Sequence, residues 1–103
     1  MENCVFCKII AGDIPTNFVA KEVDVVAFYD ISPLAQTHIL IAPRLHISSF
    51  LEIKDTHSEL LGKMIKLAQN LILKNNLEPA YKIVFNGGKY QHVPHLHWHL
   101  LGG

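Results

Sequence analysis

The most regular pattern along the chain lies between Thr56 and Asn75. Leu60, Leu61, Met64, Ile65, Ala68, Leu71 and Ile72 recur three or four residues apart, while Lys63, Lys66 and Gln69 fall on the other side. That period belongs to a helix with one face against a core. Thr56, followed three residues later by Glu59, has the form of a capping box, and Lys74 suits the negative end of the helix dipole. The pattern predicts a helix over 56–75.

Elsewhere the runs are short and rich in β-formers. Residues 18–20 and 25–29, separated by Lys21-Glu22-Val23-Asp24, predict a hairpin. Residues 37–42 (THILIA), ended by Pro43, predict a third strand; 81–85 (YKIVF) a fourth; 95–101 a fifth. Ser32-Pro33 and Asn86-Gly87-Gly88 read as turns, and 46–53 as a loop with one irregular helical turn. Residues 4–10 (CVFCKII) are apolar on one side and predict a short helix or turn, broken by Gly12-Asp13-Ile14-Pro15. Hairpin-linked strands around one long helix predict an α+β fold with an antiparallel sheet.

Composition narrows the function classes. The 103 residues make one domain, 1–103, with no linker, repeat or low-complexity segment. Half are hydrophobic and 17% are charged, below the roughly 25% of an average globular chain. This excludes a disordered chain and predicts apolar surface covered by a partner. Nine basic and nine acidic residues cancel, so no footprint for bulk nucleic acid is present. Residues 1–7 lack a basic stretch followed by an apolar one, and the apolar runs are far short of the ~20 residues a membrane span needs. A cytoplasmic protein is expected, with Cys4 and Cys7 reduced or holding a metal.

Seven histidines in 103 residues are unusual. Three of them, His95, His97 and His99, alternate with Leu96, Trp98 and Leu100. In a strand this places three imidazoles on one face, about 6.5–7 Å apart, and the apolar residues on the other. A solvated polar stripe fits poorly with such apolar flanks. Two chemistries fit: nucleophilic attack on phosphorus and a histidine metal site. The Cys4-x-x-Cys7 pair alone fits a redox pair, a metal site or two buried thiols. Taken singly, Phe6, Phe28 and Leu40 read as core and Asp30 as a turn residue.

The segment HLHWHLLGG resembles the His-φ-His-φ-His-φ-φ signature of the histidine triad family, where φ is apolar. CVFCKIIAGDIP and DISPLAQTHILIAPRLHIS resemble the family's N-terminal and central segments, and Asn86 stands where it keeps an asparagine before the triad. The similarity covers nearly the whole chain and is strongest to the nucleotide-binding branch. It implies a five-stranded antiparallel sheet with one long helix and a short N-terminal helix, in a homodimer. It also implies cleavage of nucleoside phosphoramidates or related nucleotides through a nucleotidyl-histidine.

The resemblance implies the residue roles as well. His97 is the nucleophile, and His99, His38 and Asn86 stabilise the phosphate. Val5, Phe6, Ile9, Phe28, Ile31 and Leu40 surround a purine base, as in AMP, and Asp30 accepts from the ribose hydroxyls. No cofactor is required for the chemistry. Some bacterial members bind a structural zinc, here implied at Cys4, Cys7, His46 and His95. His92 stands where many members have serine or threonine. It either contacts the phosphate or leaving group or turns to solvent. Pro94 and a slightly short 86–95 segment also depart from the pattern. His57 is assigned no role. Two other functions stay open: a non-catalytic nucleotide-binding module, and a metal-dependent hydrolase built on the strand histidines.

Overall fold

The computed structural model describes residues 3–103. Five strands form one antiparallel sheet: β1 (Phe18–Lys21), β2 (Val25–Tyr29), β3 (Thr37–Pro43), β4 (Tyr81–Val84) and β5 (Trp98–Gly102), in the order β1-β2-β3-β5-β4. A short helix, α1 (Val5–Ala11), precedes them, and the long helix α2 (Ser58–Lys74) lies between β3 and β4 in sequence. The α+β architecture expected from the sequence is the one observed.

Both faces of the sheet are covered. Val25 and Ala27 of β2, Ile39 and Ile41 of β3 and Leu100 of β5 pack with Met64, Leu67, Ala68, Leu71 and Ile72 of α2. The intervening residues Val26, Phe28, Leu40 and Ala42 pack on the opposite face with Cys4, Phe6 and Ile9. Burial on two faces is why β2 and β3 read as continuous apolar runs rather than as alternating ones.

Three details differ from the sequence pattern. The fifth strand starts at Trp98, not His95. The His95 N–H donates to the Val93 carbonyl (2.8 Å), the Leu96 N–H donates to Ile47 (2.6 Å), and ladder pairing begins only afterwards. The alternation of faces survives, with Leu96 and Leu100 in the α2 core and Trp98 against it. Second, the Thr56/Glu59 capping box is absent. A 3-10 turn, Asp55–His57, leads into α2, and the His57 Nδ1 accepts the Lys54 N–H at 3.0 Å. Third, Ile65 is half exposed, and Leu67 holds the core position instead.

Two left-handed residues close the helices. The Asp13 N–H reaches the Lys8 carbonyl across Gly12 (φ 88°), and the Leu77 N–H reaches Ile72 across Asn76 (φ 56°). Both are six-to-one closures, and Leu77 is buried behind the second.

Candidate active site

The face of the sheet beneath α1 carries the histidines. His95 closes the bend that precedes β5, His97 lies just ahead of the strand, His99 is within β5, and His38 is on the adjacent β3, where it pairs with Leu101. His38, His95 and His97 are all buried.

Hydrogen-bond partners fix where each proton sits. The His97 Nδ1 lies 2.6 Å from the His95 carbonyl, which can only accept. His97 therefore carries its proton on Nδ1 and leaves the Nε2 lone pair free. The His38 Nδ1 accepts the Leu34 N–H at 3.1 Å, so its proton is on Nε2. That atom is 2.9 Å from the His99 Nδ1 and 3.4 Å from the Asp30 Oδ2. The His99 Nδ1 is then an acceptor, and its own proton is on Nε2. The outcome is one imidazole with an open lone pair beside another with an open N–H.

Electrostatics favour the neutral forms. Burial is the main cause holding His97 and His99 below the ordinary imidazole pKa, with the neighbouring His97 and His38 adding to the effect at His99. The Asp30 charge acts in the opposite direction at both. The Asp30 Oδ1 accepts the Ser32 N–H at 2.7 Å, so the Ser32-Pro33 turn fixes the carboxylate.

The apolar residues separate into a buried group and an exposed one. Phe6, Ile9, Phe28 and Leu40 are buried together; the Phe6 ring meets Phe28 edge-on at 5.3 Å and His97 at 4.8 Å. Val5 and Ile31 are exposed, Ile31 almost entirely at 99%. Asn86 is half-buried just beyond β4, and His92 is exposed in the loop before His95. His92 is near enough for its charge to act on His99.

His95 belongs to a second cluster. The donor atoms of Cys4, Cys7, His46 and His95 all lie within 4.8 Å of one another. The His95 Nδ1 is 3.4 Å from the Cys4 Sγ and 3.5 Å from the Cys7 Sγ, and the His46 Nδ1 is 3.2 Å from the Cys7 Sγ. A tetrahedral zinc with ordinary Zn–S and Zn–N bonds separates its ligands by about 3.3–3.8 Å. The donor set fits. The His95 Nε2 donates to the Pro43 carbonyl at 2.8 Å, which turns the Nδ1 lone pair toward the thiols. Burial and the Cys4 thiol beside it push the Cys7 thiol up to about 11, and a bound cation would act in the opposite direction.

The triad histidines thus face three different partner sets and do not converge on one metal. Three of the groups that hold the site's histidines are not legible as side chains: the Leu34 N–H on His38, the Pro43 carbonyl on His95 and the His95 carbonyl on His97. Main-chain donors and acceptors leave no mark in residue type.

Residues 3–103 match the family model described as "Scavenger mRNA decapping enzyme C-term binding". The chain is 39% identical over 105 residues to a protein of Escherichia coli named purine nucleoside phosphoramidase, covering 99% of this chain and 88% of that one. It is also 39% identical over 103 residues to a maize protein named 14 kDa zinc-binding protein, covering 96% and 80%. A solved HIT family hydrolase of Clostridium thermocellum superposes with a TM-score of 0.95 at 39% identity, covering all of this chain and 92% of that one.

Proposed function

The chain belongs to the histidine triad family, and from that premise we propose that it cleaves purine nucleoside phosphoramidates, or related nucleotide P–N and P–O–P bonds, through a nucleotidyl-histidine on His97. The observation carrying this is the 2.6 Å contact between the His97 Nδ1 and the His95 carbonyl, which leaves Nε2 as the open nucleophile.

In the first step the Nε2–P bond forms and the P–N bond breaks. The amine leaves with the bonding pair and takes up a proton from solvent. Water then attacks phosphorus, breaks the Nε2–P bond, releases the nucleoside monophosphate and returns a proton to solvent. The His99 Nε2–H, with Asn86 and His92 at the rim, stabilises charge on the phosphate oxygens. Phe6, Ile9, Phe28 and Leu40 form the floor of the base pocket, with Val5 and Ile31 closing over it. Asp30 accepts from the ribose hydroxyls.

Zinc held by Cys4, Cys7, His46 and His95 would be structural: a closed four-ligand set supplies folding stability and no open position for chemistry. The proposed assembly is a homodimer in the cytoplasm. Among the described residues no helix is long and apolar enough to cross a membrane.

The test is hydrolysis of an adenosine phosphoramidate by the parent protein and by His97→Ala. Turnover by the parent, a fall of about 10³-fold or more in the variant, and a nucleotide bound to the quenched parent are expected. Equal turnover by the variant removes the nucleophile assignment. Nucleotide binding without turnover by the parent favours a binding module instead.

A further inference from the structure

The Cys4–Cys7–His46–His95 cluster and the His97 site touch at two points. The first is covalent. His95 presents its ring to the cluster and its main-chain carbonyl to the His97 Nδ1, at 2.6 Å. Its ring is held from the other side by the Pro43 carbonyl at 2.8 Å, so His95 has little freedom to turn. The second is a packed side chain. Phe6 lies on α1 between the two cysteines, and its ring meets the His97 ring at 4.8 Å and the His95 ring at 6.0 Å. α1 has seven residues, too few to be stable alone, so its position depends on the packing of Phe6 and Ile9 and on what its cysteines hold.

We propose that metal occupancy of this cluster sets the competence of His97, with His95 and Phe6 as the positioning residues that carry the effect. A metal drawing the two thiols, His46 and His95 together fixes the His95 main chain, and with it the acceptor that keeps the His97 proton on Nδ1. It also seats α1, and hence Phe6, against the flank of the His97 ring and the pocket floor. Without a metal, His95 keeps its bond to the Pro43 carbonyl but loses its hold on the Nδ1 side, α1 is held by packing and weak thiol–imidazole contacts, and the His97 proton is less firmly fixed on Nδ1.

This goes beyond a purely structural metal, because coupling between two sites is reciprocal. Whatever factor the metal adds to nucleotide affinity, the nucleotide adds to metal affinity. The inference rests on the nucleotide site proposed above, but half of its test does not.

Two measurements on the wild-type chain, at one fixed pH, decide it. The first uses no nucleotide. Zinc is titrated into metal-free protein while the imidazole nitrogens of His97 are followed by ¹⁵N NMR. Slower exchange of the Nδ1 proton and a single Nδ1–H tautomer are expected as zinc binds. The second is zinc affinity by chelator competition, with and without saturating AMP, corrected for AMP's own zinc binding. A tightening of about fivefold or more is expected. Zinc that binds while the His97 signals stay unchanged, with equal affinity in the presence of bound AMP, overturns the proposal. If zinc fixes the His97 proton but AMP does not bind, the coupling stands and the nucleotide reading fails. Cys4→Ser serves as the control in which neither change occurs.

Discussion

Three proton positions decide what this site can do. The His97 proton is on Nδ1 and that of His38 on Nε2, each fixed by a main-chain partner able to play only one part, and the His99 proton on Nε2 follows from that of His38. The triad motif and the Cys-x-x-Cys pair were legible because their side chains stand at fixed spacing. The tautomers were not, because the Leu34 N–H, the His95 carbonyl and the Pro43 carbonyl belong to the main chain. Burial also makes a testable statement about pH. His95, His97 and His99 are held below the ordinary imidazole value of 6.5, chiefly by desolvation, so the unfolded chain binds more protons than the folded one just below that pH. Stability is therefore complete above about pH 6.5 and falls as the pH drops below it, by up to ~1.4 kcal/mol per pH unit for each proton taken up. Urea midpoints from pH 8 to 5 would show it; a flat profile would contradict the burial. At Asp30, replacement by Ala should raise KM for an adenosine substrate about tenfold or more through loss of charged hydrogen bonds. The 2′,3′-dideoxy analogue should respond much less.

Elements were legible where packing and local pattern agree. β2 and β3 were found because continuous apolar runs suit a strand covered on two faces. α2 was found from its period, but its start was not. Thr56 has the right residue type for a cap, yet the 3-10 turn places the His57 ring under the Lys54 N–H instead. Thr56→Ala should accordingly change stability by less than about 0.5 kcal/mol, rather than the ~1 kcal/mol of a true cap. The other end of α2 gives the opposite expectation. Asn76 sits at φ 56°, where glycine carries no Cβ penalty, so Asn76→Gly should stabilise by a few tenths to ~1 kcal/mol. Chemical denaturation of both variants checks the pair. The sequence pattern starts the fifth strand three residues too early because alternation of side chains continues through His95 and His97 while the backbone groups of 95 and 96 bond elsewhere.

At the scale of the molecule, part of the apolar surplus in the sequence gathers at one edge of the sheet. β4 is an edge strand, and Tyr81 and Ile83 on it, with Phe85 just beyond, are 52%, 41% and 45% exposed. Phe85 stacks on Phe50, itself 50% exposed, at 4.7 Å. A bare apolar edge is a place for strand pairing between copies. If the proposed homodimer forms there, Ile83→Lys should convert a two-chain mass in light scattering to a one-chain mass while leaving the circular dichroism unchanged. A two-chain mass in that variant would move the interface elsewhere.

The bond from the Leu34 N–H to the His38 Nδ1 separates what a codon may change from what it may not. The Leu34 side chain is 82% exposed, so its size and polarity are almost irrelevant to packing. Its amide hydrogen, by contrast, sets the tautomer that is passed on to His99. In a saturation library at this position, nineteen amino acids keep that hydrogen and only proline lacks it. Position 34 should therefore look freely variable across a functional screen, with a single missing letter marking a site that no comparison of side chains would reveal.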